Sequence, residues 1–150
     1  MGKTTTAINL AAYLAQTGRS VLVVDADPQG NTTSGLGFDK NNLESTLYDV
    51  LFSHSELDRT IIETNIKNLY LLPANANLAG AEVELVNTPS RELQLKKILD
   101  DLDYNYIIID CPPSLGLLSV NALVAATDVL VPVQAEYYAM EGLSQLLSTI

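Results

Sequence analysis

Apolar and polar residues fall into blocks along the chain that predict helices interleaved with short strands. Four short apolar runs, at residues 21–24, 69–72, 106–109 and 129–131, are typical of strands. Continuous runs without polar alternation are typical of strands that are covered on both faces. Strands that alternate with helices need crossover connections. The pattern therefore predicts an α/β fold: a mostly parallel twisted sheet with helices on both faces.

Helices are predicted where apolar residues recur at three- and four-residue spacing. The first covers residues 4–17 and ends at Gly18, and its apolar side chains cover much of the circumference. We therefore expect this helix to be largely buried. The polar, glycine-containing segment 30–37 is predicted to be a loop. Further helices are predicted at 79–86, 92–102, 114–126 and 140–150, with a short one around 46–52.

Composition favours one globular domain, with 47% hydrophobic and 17% charged residues in a chain of 150. The most apolar stretch, 117–133, is interrupted by Asn121, Asp128 and Pro132 and is too short to span a membrane, so no membrane partner is expected. A single cysteine, Cys111, favours a reducing, cytoplasmic location. The net charge of −10 opposes contact between this segment and nucleic acid.

The start of the chain carries the first chemical signal. Gly2, Lys3, Thr4 and Thr5 lead directly into the first helix, as at the end of a phosphate-binding P-loop. Unpaired N–H groups and the helix dipole favour an anion there, Lys3 would contact the β- and γ-phosphates, and Thr4 would bind Mg²⁺. The full P-loop pattern needs a further glycine upstream. A helix cap with a solvated lysine is therefore the alternative interpretation.

Two of the apolar runs end in carboxylates. Asp25 and Asp27 follow the run 21–24, and Asp110 follows the run 106–109. Open parallel sheets bind ligands beyond the carboxyl ends of their strands, where a carboxylate can hold Mg²⁺ or orient an attacking water. An acidic turn at the first place and a strand ending at an Asp-Pro turn at the second are the alternatives. The three signals occur in the order that P-loop ATPases use, which favours the functional interpretation.

Four segments of the chain resemble ParA/Soj-type chromosome and plasmid partition ATPases, a P-loop NTPase family with a deviant Walker A motif. They are GKTTTAINLAAYLAQTG from residue 2, VLVVDADPQGNTTSGLG from residue 21, YIIIDCPPSLG from residue 106 and VPVQAEYYAMEGLSQLL from residue 131. MinD-type ATPases are a related branch, but residues 136–142 favour the Soj-like branch. The resemblance runs from Gly2 to Ile150.

The resemblance implies an ATPase with ATP and Mg²⁺ as cofactors. The residues that bind the nucleotide would be Gly2, Lys3, Thr4 and Thr5, the last on the α-phosphate. The metal site would comprise Thr4 and Asp110, the Walker B residue. Asp27 would be catalytic by positioning the hydrolytic water, and Lys3 would be catalytic through its contact with the β/γ-phosphates.

The family also implies partners. ATP would bridge two subunits in a homodimer, the dimer would bind DNA non-specifically through the C-terminal part, and a ParB-type protein would stimulate hydrolysis. Such a protein is cytoplasmic and associated with the nucleoid. Two alternatives stay open: a MinD-like membrane-associated ATPase regulator, and a non-hydrolysing interaction protein with the same fold.

Compared with the family, the chain lacks both ends. The family P-loop reads KGGxGKT, and its first lysine, both following glycines and the preceding strand are absent, as is the C-terminal portion. Residues 1–150 are therefore expected to be a partial, incomplete P-loop ATPase domain. The absent strand is expected to be central, between the strands that end at Asp27 and Asp110. Its loss would remove roughly ten hydrogen bonds of ~1 kcal/mol each, so we expect the segment alone to be marginally folded and inactive.

Overall fold

The computed structural model describes residues 2–148, with the backbone alone at residues 137 and 138. These residues form a four-stranded sheet in the order β2-β3-β1-β4. The strands are β1 Val21–Asp25, β2 Ile62–Glu63, β3 Leu69–Leu72 and β4 Tyr106–Asp110. Strand β1 is parallel to both of its neighbours, and the two-residue β2 is antiparallel to β3. The predicted α/β fold with a mostly parallel sheet is confirmed.

Helices surround the sheet over the described part of the chain. The α-helices are α1 Lys3–Gln16, α2 Asn31–Gly35, α3 Leu47–Leu51, α4 Leu57–Thr60, α5 Ala81–Glu84, α6 Gln94–Leu99, α7 Leu117–Ala125 and α8 Tyr137–Leu147. Short 3₁₀ helices occupy Ala76–Gly80, Leu85–Asn87 and Arg91–Leu93. Within residues 2–148, no helix combines the length and the apolar character needed to cross a bilayer.

Strand β1 lies at the centre of the core, and all five of its residues are buried. Its side chains alternate between two apolar clusters. Leu22 and Val24 pack into the larger cluster with α3, α6 and α7, and Val21 and Val23 pack against α1 on the opposite face. Because both faces are covered by helices, the strand needs no polar positions, which explains the continuous apolar run and confirms helices on both faces.

Helix α1 was expected to be largely buried, and this expectation is wrong. Only Ala7, Ala11 and Ala15 are buried, while Tyr13 is 67% exposed and Leu10 is 36% exposed. Residues four apart lie above one another on a helix, so the three alanines form one narrow face that packs on the sheet. Their small side chains allow the helix to approach β1 closely.

Several predicted elements have different bounds. The predicted loop 30–37 contains helix α2, and the predicted helix 79–86 is divided between 3₁₀ turns and α5. The helix predicted at 92–102 is the 3₁₀ turn Arg91–Leu93 followed by α6, and α8 begins before residue 140. The last two residues of the helix predicted at 140–150 lie outside the described residues. The sequence pattern missed α4 and β2, which are too short to show a period.

Residues 129–131 were predicted to be a strand but do not form one within the described part of the chain. Val129 and Leu130 are 51% and 66% exposed. A strand exists only through its ladder of hydrogen bonds to a neighbour, and in the described structure this segment has no strand beside it. Apolar β-branched composition alone does not create a strand.

The absent strand was expected to lie between the strands that end at Asp27 and Asp110, and this placement is also wrong. β1 and β4 are directly paired from Val21 opposite Tyr106 to Asp25 opposite Asp110. The other edge of β4 borders a cavity of about 210 Å³ that is lined by α1, by α7 and by residues 128–132. The four-stranded sheet is therefore continuous over the described residues, and the marginal folding of the segment alone stays a prediction.

Candidate functional site

The carboxyl ends of β1 and β4 and the amino end of α1 meet at one edge of the sheet. Asp25 and Asp110 are the last residues of the two strands and lie opposite each other in the parallel register. Asp27 follows two residues after β1, in the turn that leads to α2. Open parallel sheets bind ligands at this edge, and the three acidic residues predicted from the sequence, Asp25, Asp27 and Asp110, all lie there.

The amino end of α1 is suited to bind an anion. Gly2 precedes the helix with a left-handed backbone (φ 85°), and in the described structure no side chain caps this end and no acidic residue lies in its first turn. The first N–H groups of the helix therefore remain available, together with the positive end of the dipole. Lys3, Thr4 and Thr5 form this first turn.

Asp110 joins the helix end to the sheet. Its side chain is 2% exposed, and its Oδ2 accepts a hydrogen bond of 2.7 Å from the hydroxyl of Thr4. The same oxygen accepts a second bond of 2.7 Å from the hydroxyl of Thr32, in α2. Within residues 2–148 no other hydrogen bond reaches this carboxylate, so Oδ1 is left for a metal ion or its water. Thr4 donates its only hydrogen to Asp110, which leaves the lone pairs of its oxygen for the same cation.

Asp27 is held in a tight turn with its side chain 7% exposed. Its Oδ1 accepts a hydrogen bond of 2.9 Å from the N–H of Gln29, and its carbonyl accepts one of 2.9 Å from the N–H of Gly30. Gly30 has φ 63°, and a Cβ there would lie 2.9 Å from the carbonyl oxygen of Ala74. The turn therefore requires glycine, and it fixes the Asp27 carboxylate near the strand ends.

Asp25 is fully buried and bound by protein groups. Its Oδ2 accepts from both the N–H and the hydroxyl of Thr33, and its Oδ1 accepts from the N–H of Asp27. Burial raises the pKa of Asp25 from 3.8 to about 6, the nearby charge of Asp110 also raises it, and these hydrogen bonds oppose the rise. Asp25 therefore shapes the turn that carries Asp27.

The charges of the site surround Cys111, the half-buried residue after β4. Burial is the main cause that raises the pKa of its thiol; Asp110 and Asp27 raise it further, and Lys3 opposes them. The pKa of the Cys111 thiol is thus affected by all three charged residues that are predicted to act on the nucleotide. Within residues 2–148, Lys3 forms no ion pair with a carboxylate, so its charge is available for a ligand.

A magnesium nucleotide fits these residues. Among the described residues, no three His, Cys, Asp or Glu side chains converge as a metal site by themselves. Mg²⁺ bound with a nucleotide does not need such a cluster, because phosphate oxygens and waters complete a shell begun by one or two protein oxygens. The hydroxyl of Thr4 and the carboxylate of Asp110 provide such oxygens beside the free helix end.

Thr32 and Thr33 were missed at the sequence level. Both are fully buried, and each donates its hydroxyl to a different carboxylate at the strand ends. The segment 30–37 looked like a polar loop because its hydroxyls and glycines are typical of turns. A usable signal was present, since Gly30 followed by Asn31 and two threonines is also typical of a helix start.

Comparison with known proteins agrees with this site. The AAA domain family matches residues 1–150. The chain is 56% identical to the sporulation initiation inhibitor protein Soj of Bacillus subtilis and covers 60% of it. It is 55% identical to the chromosome partitioning protein ParA of Myxococcus xanthus and covers 54% of it. Each alignment includes 100% of this chain.

Solved structures with this fold include a nucleotide complex. A crystal structure of cobyrinic acid a,c-diamide synthase from Mycobacterium smegmatis, with bound ADP and magnesium, matches with a TM-score of 0.94 and 46% identity. The match covers 99% of this chain and 61% of that one. The chain thus spans little more than half the length of the relatives that it matches. With its whole length matched by the family and by Soj and ParA relatives, the chain belongs to the AAA domain family, in its ParA/Soj-type P-loop group.

Proposed function

We propose that this chain is the nucleotide-binding part of an ATP-hydrolysing switch of the ParA/Soj type that acts in chromosome or plasmid partition. The observation that carries the proposal is the 2.7 Å hydrogen bond between Thr4 and Asp110, which joins the free end of α1 to a buried carboxylate. Identities of 56% and 55% to Soj and ParA favour partition over the amide synthesis named for the 46% identical structure.

Each site residue has a role in this proposal. Lys3 and the first N–H groups of α1 bind the β- and γ-phosphates, and Thr5 contacts the α-phosphate. Thr4 and Asp110 hold Mg²⁺, which when bound neutralises charge on the phosphates. Asp27 positions the attacking water, because its turn holds a carboxylate beside the phosphate site without exposing it to bulk solvent.

The partners are proposed from the resemblance to the ParA/Soj family. ATP would join two copies of the protein, the dimer would bind DNA non-specifically, and a ParB-type partner would stimulate hydrolysis and release the DNA. This segment carries a net charge of −10, which repels phosphates, so the DNA contact is assigned to the portion of the relatives that this chain does not cover. We assign residues 1–150 to part of a longer ATPase domain.

The test uses the full-length protein, meaning this chain in its complete reading frame. Asp27→Ala should still bind ATP with Mg²⁺ and lose hydrolysis by roughly 10²–10⁴-fold, the usual contribution of a proton-transferring or water-orienting group. Lys3→Ala should lose binding and hydrolysis together. The exposed Asp39 and Lys67 offer matched controls, and Asp39→Ala and Lys67→Ala should behave as wild type.

The outcomes separate the alternatives. Hydrolysis that is unchanged in Asp27→Ala removes that residue from its role, and a wild type that binds ATP without hydrolysis identifies a non-hydrolysing interaction protein. ATP-dependent sedimentation with DNA supports partition, whereas sedimentation with anionic lipid vesicles supports a MinD-like regulator. Residues 1–150 assayed alone should not hydrolyse ATP; hydrolysis equal to that of the full-length protein would contradict the assignment to part of a domain.

A further inference from the structure

Two adjacent threonines of α2 bind two different carboxylates. Thr32 donates its hydroxyl to Asp110 at 2.7 Å, and Thr33 donates its hydroxyl to Asp25 at 2.7 Å. Both threonines are fully buried. Successive residues on a helix point about 100° apart, so this short helix reaches across the ends of β4 and β1 together.

The two hydroxyls nevertheless have different surroundings. The Thr33 hydroxyl also accepts a hydrogen bond of 3.0 Å from the N–H of Ala74, so it completes a network of protein groups around Asp25. The Thr32 hydroxyl donates to Oδ2 of Asp110, the oxygen that also accepts from Thr4. Thr32 therefore acts on the carboxylate that faces the magnesium site, and Thr33 acts on one that does not.

Two donors on one oxygen fix the rotation of a carboxylate. The terminal torsion of an aspartate is broad, so a single hydrogen bond leaves its plane poorly determined. The hydroxyls of Thr4 and Thr32 approach Oδ2 from two different helices, α1 and α2, and so hold Oδ1 in one direction. Without Thr32, Thr4 alone would have to orient Asp110 while its own oxygen binds the metal.

We propose that Thr32 is a positioning residue of the magnesium site, fixing the Asp110 carboxylate and tying it to the turn that carries Asp27. This inference rests on the proposed nucleotide function. Residues that orient a metal ligand typically change metal affinity by 10–100-fold when they are removed. Thr32 follows the Asp27 turn by only a few residues. The Thr32–Asp110 hydrogen bond therefore also fixes the position of the metal-binding Asp110 relative to Asp27, which positions the water.

The test compares Thr32→Val, which keeps the shape and removes the hydroxyl, with Thr32→Ser, which keeps the hydroxyl. Thr33→Val is the matched control on the next residue. For each full-length variant, binding of a fluorescent ATP analogue is measured against Mg²⁺ concentration, and the melting temperature is measured without nucleotide. Valine places a methyl group where the Thr32 hydroxyl contacted the Asp110 carboxylate, and this contact could impair folding. Thr32→Ala is therefore a second variant, which removes the hydroxyl without adding that methyl group.

We expect Thr32→Val and Thr32→Ala to need about 10–100-fold more Mg²⁺ for half-maximal binding, and Thr32→Ser to stay within about threefold of wild type. Thr33→Val should melt at a lower temperature with its Mg²⁺ dependence unchanged. The inference is overturned if the Thr32 variants keep the wild-type Mg²⁺ dependence, or if Thr33→Val shifts it equally. A wild type that binds no Mg²⁺-nucleotide overturns the proposed function itself, and the inference with it.

Discussion

Thr33 donates two hydrogen bonds to the same oxygen of Asp25, one of 2.9 Å from its N–H and one of 2.7 Å from its hydroxyl. These bonds favour the charged carboxylate, but full burial opposes it more strongly, and the pKa rises from 3.8 to about 6. Asp25 therefore keeps its proton in the folded protein over a range of pH where it is ionised in the unfolded chain. This difference couples folding to pH.

The sign of the coupling follows from the raised pKa. The contribution of Asp25 to stability is fully present below pH 3.8 and is lost as pH rises through about 6, since ionising the buried group then costs free energy. We expect Asp25→Asn to remove this component, which amounts to about 2–3 kcal/mol between pH 4 and pH 7. The measurement is urea denaturation of the nucleotide-free protein at several pH values. The exposed control Asp39→Asn should retain the wild-type slope, and an equal slope in Asp25→Asn would contradict the expectation.

Glu82 caps the amino end of α7, and its removal should destabilise the protein. Its two carboxylate oxygens accept from the N–H of Leu117 at 2.7 Å and of Leu118 at 3.1 Å. In Glu82→Gln one N–H of the helix would face an amide NH₂, and the negative charge at the positive end of the dipole would be lost. We expect a loss of about 1–2 kcal/mol in the free energy of unfolding. Glu84→Gln is the control, since the Glu84 carboxylate accepts from the Tyr48 hydroxyl in an exposed setting and its replacement should change stability by less than about 0.5 kcal/mol.

Gly116 leaves room for this cap. A Cβ at Gly116 would lie 2.5 Å and 2.7 Å from the two carboxylate oxygens of Glu82, so Gly116→Ala must displace them. We expect Gly116→Ala to cost about as much as Glu82→Gln, and the double variant to cost little more than either single one, because both remove the same interaction. Gly142→Ala is the control, since nothing lies within 4 Å of its Cβ position and alanine favours the helix. Fully additive costs from denaturation curves would show that the two residues act independently.

Asn121 is buried and its side chain binds three backbone groups, so an apolar replacement should destabilise the protein. Its side chain is 1% exposed, donates to the carbonyls of Arg91 and Leu117, and accepts from the N–H of Leu95. Asn121→Leu would remove all three hydrogen bonds and leave the buried N–H of Leu95 unpaired, at a cost of about 2–3 kcal/mol in the free energy of unfolding. The exposed Asn9 is the control, and Asn9→Leu should stay within about 0.5 kcal/mol. Equal stability of the two variants, measured by denaturation, would mean that water replaces the lost hydrogen bonds.

Local sequence patterns predicted much of this fold correctly. The runs that became β1, β3 and β4 were recognised because strands covered on both faces are continuously apolar, and α1 was recognised from its spacing and Gly18. The placement of Lys3 and Thr4 at a helix start, and of Asp110 at the end of one strand and Asp27 just beyond another, also followed from local order. These features depend on residues that are neighbours in the chain.

By itself, the sequence determined which residues carry charge and hydroxyl groups and in which order helices and strands follow. Only the tertiary structure decided that β1 and β4 pair directly, that residues 129–131 form no strand, and that segment 30–37 contains a helix whose threonines bind Asp25 and Asp110. The physical reason is that strand pairing and buried hydrogen bonds join residues as far apart as Thr32 and Asp110. Their partners are selected by packing and by the cost of leaving a buried polar group unpaired, and no local pattern along the chain records that choice.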